Sequence, residues 1–126
     1  MPFRYKDTGN SIHLMDTRQM QRFRTRLDVL QHRLRLSIEH QLQSARQAEA
    51  EPDQVDQATS GYERASVLQR TNKDQQLLQM VQSAIGRIRD GSFGQCSSCG
   101  NEIGEARLEA VPWTPYCIEC QEAFER

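Results

Sequence analysis

The stretch MQRFRTRLDVLQHRL, residues 20–34, sets Met20, Phe23, Leu27, Leu30 and Leu34 at alternating steps of three and four. Steps of that kind keep every apolar side chain on one seam of a helix, as in a coiled coil. Upstream, Asp16 followed by Gln19 has the form of a capping box: the carboxylate takes an orphan backbone N–H and the amide reaches back. The helix is therefore read as starting there. Downstream, Ile38, Leu42 and Ala45 continue the stripe in steps of four at first, which turns it around the helix.

Pro52 ends the run, because it has no N–H to donate and disfavours helical geometry in the residue before it. Asp53 is placed to cap a second helix, which carries Ala58, Tyr62, Ala65 and Leu68, then a polar stretch, then Leu78, Val81, Ile85 and Ile88. Asp90-Gly91 supplies its stop, with glycine free to take the left-handed conformation after the last turn. Each helix would extend roughly 50 Å at 1.5 Å per residue. Folded back at a turn near 50–53, the pattern sets Leu27 against Leu78, Met20 against Ile85, Leu42 against Tyr62, and Ile38 against Val67 or Leu68. Leu30 and Leu34 face Gln75 and Thr71, so the middle of the seam is mixed.

The fold class is thus mainly all-α. An irregular arm occupies 1–15, an antiparallel coiled-coil hairpin with its tip near 50–57 occupies 16–90, and a small module with a short terminal helix occupies 91–126. Two ordinary amphipathic helices of a bundle would show the same periodicity, but no third helix of comparable length is available to complete one. Composition agrees. With 126 residues, 37% hydrophobic and 6% aromatic, the chain suits buried stripes better than a thick core.

Sixteen basic against seventeen acidic side chains exclude the strongly basic profile of a protein that coats nucleic acid. The charge is regional: residues 1–50 hold nine basic and five acidic side chains, whereas residues 91–126 hold two and six. No apolar run reaches 18 residues, and the first fifteen, MPFRYKDTGNSIHLM, lack the apolar core of a secretion signal. A cytoplasmic protein without a membrane partner is expected.

All four cysteines fall in the last module, as Cys96-Ser-Ser-Cys99 and Cys117-Ile-Glu-Cys120, with seventeen residues between the pairs. Two thiolates three residues apart reach one ion from a tight turn, and two such knuckles complete a closed tetrahedral Zn2+ site. Gly100 eases the first knuckle. Four thiolates leave no position for water or substrate, so one structural zinc is expected. Two disulfides do not suit a reducing compartment, and a thioredoxin-type pair needs a βαβ setting that is missing here. Phe93, Leu108, Trp113, Tyr116 and Phe124 are too few to fold the module alone, so the metal should supply much of its stability. His13, His32 and His40 lie far from the cysteines in sequence and read as surface residues.

The cysteine spacing also occurs in GATA-type DNA-binding fingers, but those need a basic surface for the phosphates, and this module is acidic. Direct DNA binding is not expected. A nucleic-acid-binding zinc finger and a zinc-thiolate redox sensor stand as the alternative functional readings.

At the tip, Asp53 and Asp56 are explained by helix capping and the helix dipole alone. Asp53-x-x-Asp56-x-Ala58 together with the four-cysteine module, however, resembles the DksA/TraR family of RNA polymerase-binding transcription factors. Phe93-Gly94, Cys99-Gly100, Glu102-Ile103-Gly104, Arg107-Leu108-Glu109-Ala110 and Cys117-Ile118 are similar as well. The resemblance implies a hairpin that enters the secondary channel of RNA polymerase and sets Asp53, Asp56 and Ala58 near the catalytic centre. It implies a regulator of initiation that is not itself an enzyme, acting as a monomer. Arg18, Arg22 and Arg26 share a helix face and are candidate polymerase contacts, although a solvated charged face explains them too. Where the family uses basic side chains for guanosine tetraphosphate, the matching positions hold Met80, Val111 and Gln121, with only Lys73 basic. A polyphosphate is held mainly by Arg and Lys, so alarmone synergy is not carried over.

Overall fold

A computed structural model of the chain describes residues 3–4, 14–50 and 57–126. Strands β1 (Phe3–Arg4) and β2 (Leu14–Met15) pair antiparallel, Phe3 opposite Met15 and Arg4 opposite Leu14. The arm read as irregular therefore holds a short strand pair. Two residues per strand are too few to leave a period-2 signal. Four helices follow: α1 (Thr17–Ala50), α2 (Gln57–Asp90), α3 (Glu105–Ala110) and α4 (Ile118–Glu125).

The start of α1 is the capping box that Asp16 and Gln19 announce. Gln19 N–H donates to the Asp16 carboxylate at 2.8 Å, and Asp16 N–H donates to the Gln19 side-chain oxygen at 3.3 Å. The end of α2 is a glycine stop. Gly91 has φ 88°, and the N–H groups of Gly91, Ser92 and Phe93 all converge on the Arg87 carbonyl at 2.9–3.1 Å.

The chain divides into two compact units, residues 1–29 with 80–126, and residues 30–79. In the first, Phe23 and Leu27 of α1 are buried with Val81, Ala84 and Ile85 of α2, and with Phe93, Ile103 and Leu108 beyond it. The Phe23 and Phe93 rings meet at 5.4 Å between centroids, tilted by 50°, and are 1% and 0% exposed. The cysteine module thus shares its core with the base of both helices.

In the second unit α1 and α2 run antiparallel, with Leu34 and Ile38 buried on α1 and Thr71 on α2. Here the seam departs from the sequence reading in two ways. Ala65 is exposed and Leu68 is 54% exposed, and Asp74, which the reading left out, is half-buried beside Thr71, while Val67, Thr71 and Leu78 are covered as read. Thr71, at 3% exposure, donates its hydroxyl to Gln41 Oε1 at 2.6 Å and to the Val67 carbonyl at 2.9 Å. Gln41 Nε2 in turn donates to Asp74 at 2.9 Å and to the Ser37 hydroxyl at 3.0 Å. A polar layer thus fills the middle of the seam, the part that Thr71 facing Leu34 marks as mixed in the sequence. The register also moves. The Tyr62 side chain set against Leu42 lies outside the described residues, and Gln41, the neighbour of Leu42, engages Thr71 and Asp74, about three turns further along α2 than Tyr62. The helix ends at Ala50 and Gln57 centre the connection later than a turn at 50–53 does, and the long glutamine reaches diagonally across the seam.

Candidate metal centre

The first knuckle is a tight hairpin. Gln95 and Glu102 form an antiparallel bridge, Cys96 N–H donates to Asn101 O at 2.8 Å, and Gly100 N–H donates back to Cys96 O at 3.0 Å. The backbone of Gly100 sits at φ 79°, which a side chain strains, so glycine after the second cysteine is what lets this turn close. The second knuckle is a helix start: Cys117 is the N-cap of α4, Cys120 lies in its first turn, and Gln121 N–H donates to Cys117 O at 3.0 Å. The positive end of the helix dipole and the free N–H groups of that turn favour thiolates.

These two turns bring the sulfurs of Cys96, Cys99, Cys117 and Cys120 within 4.8 Å of one another. The Cys99 and Cys117 sulfurs are 3.8 Å apart. Four sulfurs at about 2.3 Å from a tetrahedral zinc stand about 3.8 Å apart, a separation that the Cys99–Cys117 pair matches and the whole quartet approaches. The histidines stay outside: His32 and His40 belong to α1 in the second unit, and His13 lies outside the described residues. The four sulfurs pull one another's titration apart. Burial pushes the Cys96 thiol up, but N–H groups of Cys99, Cys117 and Ser98 outweigh it and bring the thiol down to about 6. The adjacent Cys117 sulfur, burial and the Cys96 sulfur push Cys120 up to about 12. The Asn101 backbone bond lowers Cys99, but burial and the neighbouring Cys96 and Cys117 sulfurs together outweigh it, so this thiol is raised too. A bound divalent ion removes this conflict by holding all four as thiolates.

Between the knuckles the chain is held by side chains the sequence reading passed over. Arg87 Nη2 donates to the carbonyls of Trp113 at 3.2 Å and Thr114 at 3.4 Å. Arg107 Nε donates to Tyr116 O at 2.9 Å, and its Nη2 to the Thr114 hydroxyl at 3.3 Å. Burial lowers the Arg87 pKa, opposed by the charges of Asp90 and Tyr116, and an arginine remains a cation there. No periodicity flags these residues. The only sequence signal is Arg107, one of two basic residues in an otherwise acidic module; Arg87 belongs to the last turn of α2 and carries none. Of the aromatic residues expected in the module core, Phe93 is enclosed, whereas Phe124 is exposed and meets Tyr116 edge-on at 4.9 Å.

The other residues singled out from sequence lie elsewhere. Asp53 and Asp56, with the capping roles read for them, fall outside the described residues, while Ala58 is the second residue of α2. Arg22 and Arg26 are both bonded to Glu109 of α3: Arg22 Nη2 to Oε1, Arg26 Nη1 to Oε2 at 3.1 Å, and Arg26 Nη2 to the backbone carbonyl at 2.8 Å. Gln19, one turn earlier, donates to Glu105 at 3.2 Å, so α1 and α3 are stitched along one face. Arg18 is exposed. Among the described residues no helix is long and apolar enough to cross a membrane.

Residues 91–126 match the family described as prokaryotic dksA/traR C4-type zinc finger. The similarity extends well past the module. The RNA polymerase-binding transcription factor DksA of Escherichia coli K12 is 31% identical over 112 residues, 88% of this chain and 74% of that protein. The protein of the same name from Caulobacter vibrioides NA1000 is 34% identical over 113 residues, 89% of this chain and 80% of that one. Among solved structures, transcription factor DksA2 of Pseudomonas aeruginosa superposes with a TM-score of 0.80 at 30% identity, covering 87% of this chain and 85% of that one. Helical hairpin, four-cysteine zinc centre and kinship along most of the chain agree, and this protein belongs to the DksA/TraR family.

Proposed function

We propose that this chain is a transcription regulator that binds RNA polymerase directly and acts by presenting its helix–helix tip to the secondary channel. The observation that carries the reading is the length of the likeness. It runs through 112 residues of a relative named as an RNA polymerase-binding transcription factor, whereas the zinc module accounts for only residues 91–126. What is shared therefore includes the paired helices as well as the metal-held base.

In this reading Asp53 and Asp56 bring two carboxylates, and Ala58 a narrow shoulder, to the neighbourhood of the polymerase's catalytic Mg2+. Carboxylates act there on metal coordination and on nearby basic side chains, over a few ångströms and in a site poor in water, where charges interact strongly. The protein makes and breaks no bond itself. Arg18 is the candidate contact with the polymerase surface, because Arg22 and Arg26 are held by Glu109. Lys73 and Met80 are exposed, and with Val111 and Gln121 they leave a guanosine tetraphosphate site with one cation, so regulation proceeds without the alarmone. The chain works as a monomer in the cytoplasm and does not contact DNA.

The test is a paired measurement on purified core polymerase, binding by pull-down and promoter output by in vitro transcription. Asp53→Asn with Asp56→Asn should bind as the parent does and lose its effect on transcription. Full regulatory activity in that variant, or no capture of polymerase by the parent, contradicts the reading.

A further inference from the structure

The segment from Trp113 to Tyr116 belongs to no helix or strand, yet it delivers Cys117 to the sulfur quartet. Its four consecutive carbonyls each accept a hydrogen bond from somewhere else in the first unit. Trp113 O and Thr114 O take Arg87 Nη2, Pro115 O takes Ser97 N–H at 2.8 Å, and Tyr116 O takes Arg107 Nε at 2.9 Å. The buried Thr114 hydroxyl, 4% exposed, adds bonds to Tyr116 O and Tyr116 N–H at 3.0 and 3.2 Å. An irregular segment with every carbonyl satisfied by a named donor is held in one conformation, since buried backbone acceptors are costly to leave unpaired.

Arg87 has a second task on its backbone. Its carbonyl collects the three N–H groups of Gly91, Ser92 and Phe93 that turn the chain out of α2 towards the first knuckle. One residue thus fixes the departure of the limb bearing Cys96 and Cys99 and, through its side chain, the approach of the limb bearing Cys117 and Cys120. The same guanidinium lines an open cleft of about 450 Å³ together with Cys96 and Cys99. Its Nε is buried and has no hydrogen-bond partner among the described residues. Four thiolates around Zn2+ carry a formal charge of about −2, and a fixed cation on the wall of that cleft offsets part of it.

We infer that Arg87, seconded by Arg107, is a positioning residue of the zinc centre: the arginine fork at the end of α2 sets the Cys117 limb and thereby governs how firmly the metal is held. Residues that orient metal ligands from behind commonly alter metal retention when changed. The inference concerns the metal alone and stands apart from the polymerase reading.

The experiment uses the full zinc-loaded chain. Zinc release into a chromogenic chelator is timed for Arg87→Gln, Arg107→Gln and the exposed control Arg89→Gln, with helix content followed by circular dichroism. The Co2+-substituted forms report ligand geometry through their visible spectra. Arg87→Gln should keep parental helix content, lose zinc at least about 10-fold faster and shift the Co2+ bands. Arg107→Gln should move in the same direction, and Arg89→Gln should match the parent. Release at the Arg89→Gln rate by Arg87→Gln overturns the inference. If Arg87→Gln loses its helices, the decision rests on Arg107→Gln, for which the control rate overturns it and faster release supports it.

Discussion

The same two helices serve both compact units, but they are stabilised by different means. In residues 1–29 with 80–126, two enclosed phenylalanines, a surround of aliphatic side chains and the buried Cys96 and Cys117 make a thick core for a small unit. In residues 30–79, two helices share a thin seam, part of which is the hydroxyl, amide and carboxylate of Thr71, Gln41 and Asp74. A thin seam removes little apolar surface from water, and hydrogen bonds contribute modest net stability even when every partner is present. The lesson is that long helices do not imply uniform stability. The region carrying the metal resists opening, whereas the region nearest the predicted tip depends on polar partners staying in register.

That contrast can be broken most forcefully at the metal. Chelation, or Cys117→Ser, should abolish stoichiometric zinc, a loss on the order of 10 kcal/mol of binding free energy in small zinc modules. Nuclear magnetic resonance should then show residues 91–126 losing dispersed signals while residues 30–50 and 57–79 keep helical chemical shifts, with their amides exchanging readily across the thin seam. Simultaneous loss of both sets would mean that the two units are not energetically distinct.

A smaller effect is expected at Phe23→Ala, which empties the aromatic contact with Phe93 and should cost about 3–5 kcal/mol in urea unfolding. The seam has a different signature. Thr71→Val strands the Gln41 oxygen and should cost about 1–3 kcal/mol, and adding Gln41→Leu should recover only part of that loss, because it also takes the amide donor away from Asp74. If the double change cost as much as the sum of its parts, Thr71 and Gln41 would not be coupled across the seam.

The contrast also explains what the sequence made legible. The capping box at Asp16 and Gln19, the stripe from Phe23 to Ile38, the glycine stop at Gly91 and the cysteine quartet are local patterns, and each is present as read. Local patterns depend on neighbours a turn away. The mixed middle of the seam was legible in Thr71 facing Leu34, but its partners were not, since Asp74 turns inward only when Gln41 arrives from the other helix. Nor was the Arg87 and Arg107 scaffold, because carbonyl acceptors leave no trace in side-chain identity. Arg22 and Arg26 illustrate the same limit: on one helix they look like a free basic face, and only the approach of Glu109 shows what they bind.

The functional reading is tested most directly by photocrosslinking from the tip. With a photoreactive residue replacing Gln54, between the two aspartates, crosslinks to core RNA polymerase should map beside the catalytic Mg2+ in the largest subunits. Crosslinks confined to the polymerase exterior, or capture of polymerase only from positions in residues 91–126, would contradict it.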